Sequence, residues 1–294
     1  MTLGPGRYTW QCAEPSGEIV TSQAEPVTGP RVVATPSYMP ARPDDLSAAV
    51  YQYRDEVTAG ISTLVGAKNQ LQRDVDAQDL PVAKAQWLVA HLAYEQLGAA
   101  YDTFGPFDQE IDGRADGLSA GVNDKRFTGF LRLEYGLWHG QSWNKLRAVT
   151  SQLDGFVRGL EAAFPHQLMV ITDLPLCAHE ILENALQFEL TGDTDEGSHT
   201  NLATVQANVV GTESVLGALQ PLLATRNPSL LNTVDQDLSR LASLVGTFDR
   251  HGAWVPVQSL TTSEHEQLDA AMDSLLEQLS ITPGSLRLFA VGAD

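Results

Sequence analysis

The longest apolar repeat in the chain begins near Asp44 and predicts a helix of about eight turns. Its apolar residues recur at three- and four-residue intervals, which is the spacing of one face of an amphipathic helix. They are Leu46, Val50, Tyr53, Val57, Ile61, Leu64, Leu71 and Val75. A helix with such a face is stable when other helices cover it, so the repeat predicts a helical bundle.

Helical patterns continue to about residue 280 and predict eight helices joined mostly by short turns. After the first, the predicted helices run from about 81 to 103, 127 to 138, 142 to 164, 173 to 192, 198 to 224, 228 to 250 and 261 to 280. Ser263 and Glu266 are predicted to form a capping box in the last helix. Up-and-down packing favours two four-helix bundles, residues 43–166 and 167–285, followed by a tail, 286–294.

Two segments lack a helical period. Residues 104–126 are rich in glycine and predict a long loop, which in a compact helical protein is either disordered or functional. Residues 1–42 are rich in Gly, Pro, Thr and Val, with short alternating pieces that predict two or three strands and an extended arm. The predicted fold class is therefore all-α, with a short β-rich segment at the N-terminus.

Composition excludes several function classes. Acidic residues outnumber basic ones by 37 to 18, and a net charge of −19 argues against binding to nucleic acid. The apolar runs are too short for an integral membrane protein, and Met1 does not begin a typical signal peptide. Two cysteines, Cys12 and Cys177, are too few for a disulfide framework and are predicted to be unpaired.

One acidic residue lies beside the apolar helix face of residues 127–138, Phe-Thr-Gly-Phe-Leu-Arg-Leu-Glu-Tyr-Gly-Leu-Trp. Glu134 follows Leu133 and comes one turn after Phe130, so its carboxylate is either partly buried or reaches around the edge of the face. A buried carboxylate is costly unless it is paired, hydrogen-bonded or bound to a metal. Glu134 is therefore a candidate functional residue.

This segment resembles the signature helix of the imelysin-like family, which includes the EfeO iron-uptake proteins. The family usually has Gly-aromatic-His-x-x-Glu followed by Leu-Trp, and Leu131 stands here at the histidine position. A second family segment, Ser-His-Thr-Asp-Leu followed by Gln-Ala-Asn, is matched by residues 198–202 and 206–208. Residues 3–12 also resemble the last strand of the cupredoxin-like domain that precedes the helices in EfeO proteins.

The resemblance implies a metal site in the first bundle, with iron as the expected metal. The family positions fall on Glu95, Asp112 and Glu134, while Leu131 and Gly98 replace a histidine and a carboxylate. Carboxylates that project inward from facing helices hold iron and manganese in helical bundles. His91 lies one turn before Glu95 on the same helix face and is a candidate substitute for the missing imidazole.

A second candidate site consists of His179, Glu180 and Glu183. His179 and Glu183 share one face of a predicted helix with Glu180 on its flank, so a carboxylate-rich metal site is sterically feasible. Position 183 lacks the second histidine of a zincin His-Glu-x-x-His motif. The alternative is a polar junction between the bundles in which His179 pairs with a carboxylate.

The resemblance implies an iron-binding protein of the cell envelope that passes iron to a membrane permease, with a haem peroxidase as a further partner. Two alternatives remain open: an adaptor that has lost metal binding through Leu131, and an enzyme that reuses the carboxylate pocket. Metallopeptidase activity requires a metal with an open position, a water and a general base. The missing histidine argues against that activity.

Overall fold

Ten α-helices form most of the computed structural model, which describes residues 4–9, 11–13, 19–30, 43–170 and 173–286. Within these ranges the helices are α1 Pro43–Ala77, α2 Leu80–Glu95, α3 Tyr101–Phe104, α4 Pro106–Asp112, α5 Gly129–Trp138, α6 Trp143–Ala163, α7 Leu174–Asn184, α8 Asn201–Arg226, α9 Pro228–Gly246 and α10 Thr262–Ser285. None of these helices combines the length and the apolar character needed to cross a membrane.

The N-terminal segment forms two antiparallel strand pairs. Strand β1 (Gly6–Tyr8) pairs with β4 (Glu25–Val27), and β2 (Gln11–Ala13) pairs with β3 (Ile19–Thr21). A third short pair, β5 (Asp249–Arg250) with β6 (Ala253–Trp254), lies between α9 and α10. The predicted all-α fold with a β-rich N-terminal segment is confirmed. The predicted arm before α1 and most of the predicted tail lie outside the described residues.

The predicted apolar face of α1 is buried along its whole length. Helix α1 packs against α2, α6 and α8, while α8 also contacts α2, α7 and α9. Helix α10 covers α7 and α9. One continuous cluster of buried apolar side chains includes residues from Leu46 to Leu286. The core therefore extends through both halves of the chain, and the division into two bundles stays a prediction.

The structure differs from the sequence prediction in several places. The predicted helices 173–192 and 228–250 end earlier, at Asn184 and Gly246. Helix α2 ends at Glu95, and the chain continues through a short 3₁₀ turn, Gly98–Ala100, into α3 and α4. The predicted loop of residues 104–126 is therefore partly helical. The capping box of α10 is Thr261 with Glu264, two residues before the predicted pair. Both pairs have the same spacing, but only Thr261 precedes the first helical turn.

Helix α5 begins against the end of α4 with no space for a side chain between them. Gly129 has a φ of +80°, and a Cβ at this position would lie 1.9 Å from the Ile111 carbonyl oxygen. Thr128 Oγ1 donates a hydrogen bond of 2.9 Å to the Glu110 carbonyl oxygen. Glycine alone combines this backbone conformation with so close an approach. The junction fixes the position of Asp112, the last residue of α4.

Replacing Gly129 by alanine is expected to lower the free energy of unfolding by about 2–4 kcal/mol, since it adds backbone strain and a collision with the Ile111 carbonyl group. The matched control is Gly155→Ala in α6, where no atom lies within 4 Å of the added Cβ. The control is expected to raise stability by about 0.5–1 kcal/mol. Urea denaturation measures both changes, and equal stability of the two variants would contradict the tight junction.

Candidate metal centre

His91, Glu95 and Asp112 converge on one point. His91 and Glu95 lie one turn apart on α2, and Asp112 ends α4. His91 Nε2 lies 3.3 Å from Glu95 Oε1 and 3.3 Å from Asp112 Oδ1. One ligand atom from each residue lies within 4.8 Å of the other two. The structure thus brings together three of the four residues predicted for the first site, including the substitute histidine.

Hydrogen bonds between helices hold this triad, His91, Glu95 and Asp112, in position. Trp87 Nε1 donates to the Phe130 carbonyl oxygen at 3.0 Å, which joins α2 to α5. Tyr94 Oη donates to Asp108 Oδ1 at 2.8 Å, which joins α2 to α4. The His91 ring stacks on Trp87 with centroids 4.9 Å apart. These contacts restrict the imidazole ring and the helix that carries it.

Three atoms of the triad that could bind a metal ion are buried and form no aligned hydrogen bond with any described residue. They are Nδ1 and Nε2 of His91 and Oδ1 of Asp112. Nε2 and Oδ1 face each other at 3.3 Å as an ion pair, whereas Nδ1 has no partner among the described residues. An unsatisfied buried polar atom costs about 1–3 kcal/mol. One imidazole and two carboxylates are ligands that Fe, Mn and Zn accept. The residues of the triad therefore fit a metal ion.

Two residues of the triad, His91 and Asp112, bind protons more strongly than the free side chains do. Burial lowers the pKa of His91, but Asp112 and Glu95 outweigh burial and raise it well above its ordinary value. Burial also raises the pKa of Asp112 well above its usual range. Burial has the same effect on Glu95, but His91 and Asn208 overcome it and lower the pKa of Glu95. A metal ion must displace these protons when it binds.

Glu134 lies outside the triad and is held by the loop before α8. Its Oε1 accepts hydrogen bonds from the backbone N–H groups of Ser198 at 2.8 Å and Glu196 at 3.2 Å. The residue is 1% exposed, and burial raises its pKa to about 7. Glu134 therefore does not face solvent, and no arginine among the described residues forms an ion pair with it. Among the described residues, its oxygens are not part of the metal-binding group.

A cavity of about 160 Å³ lies beside the triad. The carboxylates in its lining are Glu95, Asp108, Asp112 and Glu189, and the lining also includes Arg114, Phe188 and Leu131. Two triad residues thus border an open space rather than a packed core. A space of this size can admit a small ligand.

Two departures from the family pattern replace donors with apolar packing. Leu131 lines the cavity and packs with Ala115 and Phe127 in a small apolar cluster, in which it is 2% exposed. At Gly98, a Cβ would lie 2.4 Å from Ile181 Cδ1, so Ile181 fills the space that a side chain would need. The histidine and the carboxylate expected from the family are therefore both replaced by hydrocarbon.

Glu189 was missed by the sequence analysis. It ends a π-helical turn, Ala185–Glu189, that follows α7. Its carboxylate accepts hydrogen bonds from Thr194 Oγ1 at 2.6 Å and Asn201 Nδ2 at 2.9 Å. Burial and then the charge of Glu95 raise its pKa to about 7. A π-helical turn shifts the phase of the side chains, so a regular helical pattern does not predict which face Glu189 occupies.

The second sequence motif supplies hydrogen-bond donors to these buried carboxylates. Ser198 donates through its backbone to Glu134, and Asn201 donates to Glu189. Asn208 Nδ2 donates to Glu95 Oε2 at 2.8 Å across 113 residues of sequence. The two motifs that carry the family resemblance therefore meet around the cavity.

The second predicted site is not gathered at one point. His179 Nδ1 lies 3.4 Å from Glu183 Oε2, and the Glu183 side chain is 60% exposed. Glu180 instead lies near Asp102 and the free, buried Cys177. Adjacent helical residues point about 100° apart, which separates Glu180 from His179. The observed pairing of His179 matches the alternative of a carboxylate partner.

Comparisons with known proteins agree with the motifs. Residues 49–175 match the model of the imelysin family. Iron uptake system component EfeO of Escherichia coli K12 is 26% identical, over 97% of this chain and 75% of its own length. The proteins of the same name from Shigella flexneri and Escherichia coli O157:H7 match to the same extent. The match to the family model includes the triad, Leu131 and Glu134.

Glu189→Gln is expected to stabilise the metal-free protein at about pH 8 by on the order of 1–3 kcal/mol. Because the folded-state pKa of Glu189 is raised from 4.5 to about 7, its contribution to stability is present below pH 4.5 and is lost as the pH rises through 7. The gain of the variant should therefore shrink toward pH 4.5. Chemical denaturation in the presence of a chelator measures the free energy of unfolding of the variant at each pH. Glu183→Gln, at an exposed site, is the control. A gain that is the same at all pH values would contradict a buried, protonated Glu189.

Proposed function

This chain is imelysin-like and related to the EfeO proteins, and on that basis we propose that it binds iron as its cargo in an iron-uptake system of the cell envelope. His91, Glu95 and Asp112 hold the ion. The protein then passes iron to a membrane permease, and a haem peroxidase is a further partner. The family resemblance supports the permease and the peroxidase as partners, whereas the geometry of this chain supports the choice of ligands.

The observation that carries the proposal is the position of His91 Nε2, 3.3 Å from a carboxylate oxygen on each of two different helices. An imidazole and two carboxylates are a donor set that Fe and Mn accept, and the contacts of 3.3 Å between His91 Nε2 and the two carboxylates hold all three groups within reach of a single ion. The imidazole of His91 replaces the one that is lost at Leu131. The site can therefore still bind borderline ions such as Fe(II).

Calorimetric titration of the chelator-stripped protein with Fe(II), under anaerobic conditions, and with Mn(II) tests the proposal. The natural chain is expected to bind one ion, and Asp112→Asn to bind it at least tenfold more weakly, because the variant loses a charged ligand. His91→Gln is expected to weaken Fe(II) more than Mn(II), since Mn(II) depends less on an imidazole ligand.

The matched control is Glu183→Gln, which removes one negative charge from an exposed side chain. This variant should bind metal like the natural chain, because surface charge is screened by salt. Failure of the natural chain to bind either ion more tightly than about millimolar would overturn the proposal. Equal losses in Asp112→Asn and Glu183→Gln would assign binding to surface charge instead.

The adaptor alternative is favoured by one observation, the apolar packing of Leu131 at the cavity wall. Leu131→His separates the two functions. If the natural chain already binds Fe(II), the added imidazole is expected to raise its Fe(II) affinity by about tenfold. Calorimetry on Leu131→His, with Leu131→Gln as a polar control without imidazole, measures the change. Metal affinity that appears only in the histidine variant would support the adaptor.

A further inference from the structure

Arg114 contributes a guanidinium group to the wall of the carboxylate-lined cavity. This group forms an ion pair with none of the carboxylates in the lining. Its Cζ lies 3.6 Å from the centroid of the Phe188 ring, and both residues line the cavity. No described residue forms an ion pair or a hydrogen bond with Arg114. Stacking uses the face of a guanidinium and leaves its N–H groups free at the edge. Arg114 therefore presents unused donors at this cavity.

The triad leaves part of a metal ion uncovered. It offers one ligand atom from each of three residues, whereas hard cations such as Mn(II) take about six oxygen or nitrogen ligands. Two triad residues, Glu95 and Asp112, line the cavity that Arg114 also lines. A metal ion held by the triad would therefore lie beside a space of about 160 Å³ that has a guanidinium in its wall and room for a further ligand.

We propose that the site takes its metal ion together with a small oxyanion, of the carbonate or phosphate class, that bridges the ion and Arg114. This inference rests on the proposed function, because the anion is bound only with the metal. Oxyanions match the fork of N–H donors on an arginine and are also hard ligands for metal ions. Phe188 orients the guanidinium by stacking on it.

The charges of the cavity determine the order of binding. Without metal, the carboxylates around the cavity oppose the entry of an anion. A bound cation reverses the local charge and supplies the second contact. The anion must therefore raise the affinity for metal by the same factor by which the metal raises the affinity for the anion. Binding of the anion to the metal-free protein is expected to be undetectable.

The test is calorimetric titration of the chelator-stripped full chain with Mn(II), which accepts the same hard ligands as iron. Titrations are carried out in anion-depleted buffer, with added bicarbonate, and with added phosphate. The anion that the site takes is expected to raise Mn(II) affinity at least fivefold. Broadening of the ¹³C signal of bicarbonate or the ³¹P signal of phosphate by bound Mn(II) reports directly on an anion next to the metal.

Three variants locate the effect. Arg114→Gln should lose the anion effect while its Mn(II) affinity without anion is unchanged or higher, because a repelling positive charge is gone. Phe188→Leu keeps the guanidinium without its stacking partner, so it should weaken the anion effect without abolishing it. The control, Arg73→Gln, removes a cation on α1 whose side-chain hydrogen bonds within the described part of the chain go to Gln70. This variant should behave like the natural chain. Far-ultraviolet circular dichroism verifies that each variant is folded.

Distinct results overturn the two proposals. Mn(II) affinity that is the same in all three buffers, or an anion effect that persists in Arg114→Gln, would overturn the anion bridge and leave the metal site standing. Absence of Mn(II) and Fe(II) binding in every buffer would overturn both. An increase with bicarbonate alone or with phosphate alone supports the bridge and identifies the anion.

Discussion

The close contact between the Gly129 backbone and the Ile111 carbonyl group is the constraint on which the site depends. It joins α4 to α5 without an intervening side chain, and hydrogen bonds from Trp87 and Tyr94 join the same two helices to α2. Three helices are therefore fixed relative to one another by backbone contact and directed polar bonds. Apolar packing alone would leave their register adjustable, whereas three ligands on two helices need a fixed separation.

Burial of several carboxylates in one region sets the chemical character of the protein. Glu134, Glu189 and Asp112 all have raised pKa values, and burial is the largest cause in each case. Such an arrangement reduces stability at neutral pH, since each group is desolvated. Under the proposed function, a cation bound beside these groups would offset this cost and displace protons.

The sequence predicted the features that follow a regular helical period. Every residue of the apolar face of α1 is buried, and His91 was placed beside Glu95 because the two are four residues apart. Glu189 and Arg114 were not predicted, because a π-helical turn and a loop carry them and neither has a period that can be extrapolated. Glu134 was expected among the ligands, but nothing in the sequence predicted that the backbone near Ser198 would bind its carboxylate.

The hydrogen bond from Asn208 to Glu95 limits how the chain can be divided. The match to the imelysin family model ends at residue 175, yet the partners of Glu95 and Glu134 lie beyond it, at positions 208 and 198. A fragment cut at that boundary would keep the proposed ligands but lose the hydrogen bonds that Asn208 and Ser198 donate to Glu95 and Glu134. Transfer of these residues to another scaffold with their surroundings intact would therefore require carrying α8 and the loop before it along with them.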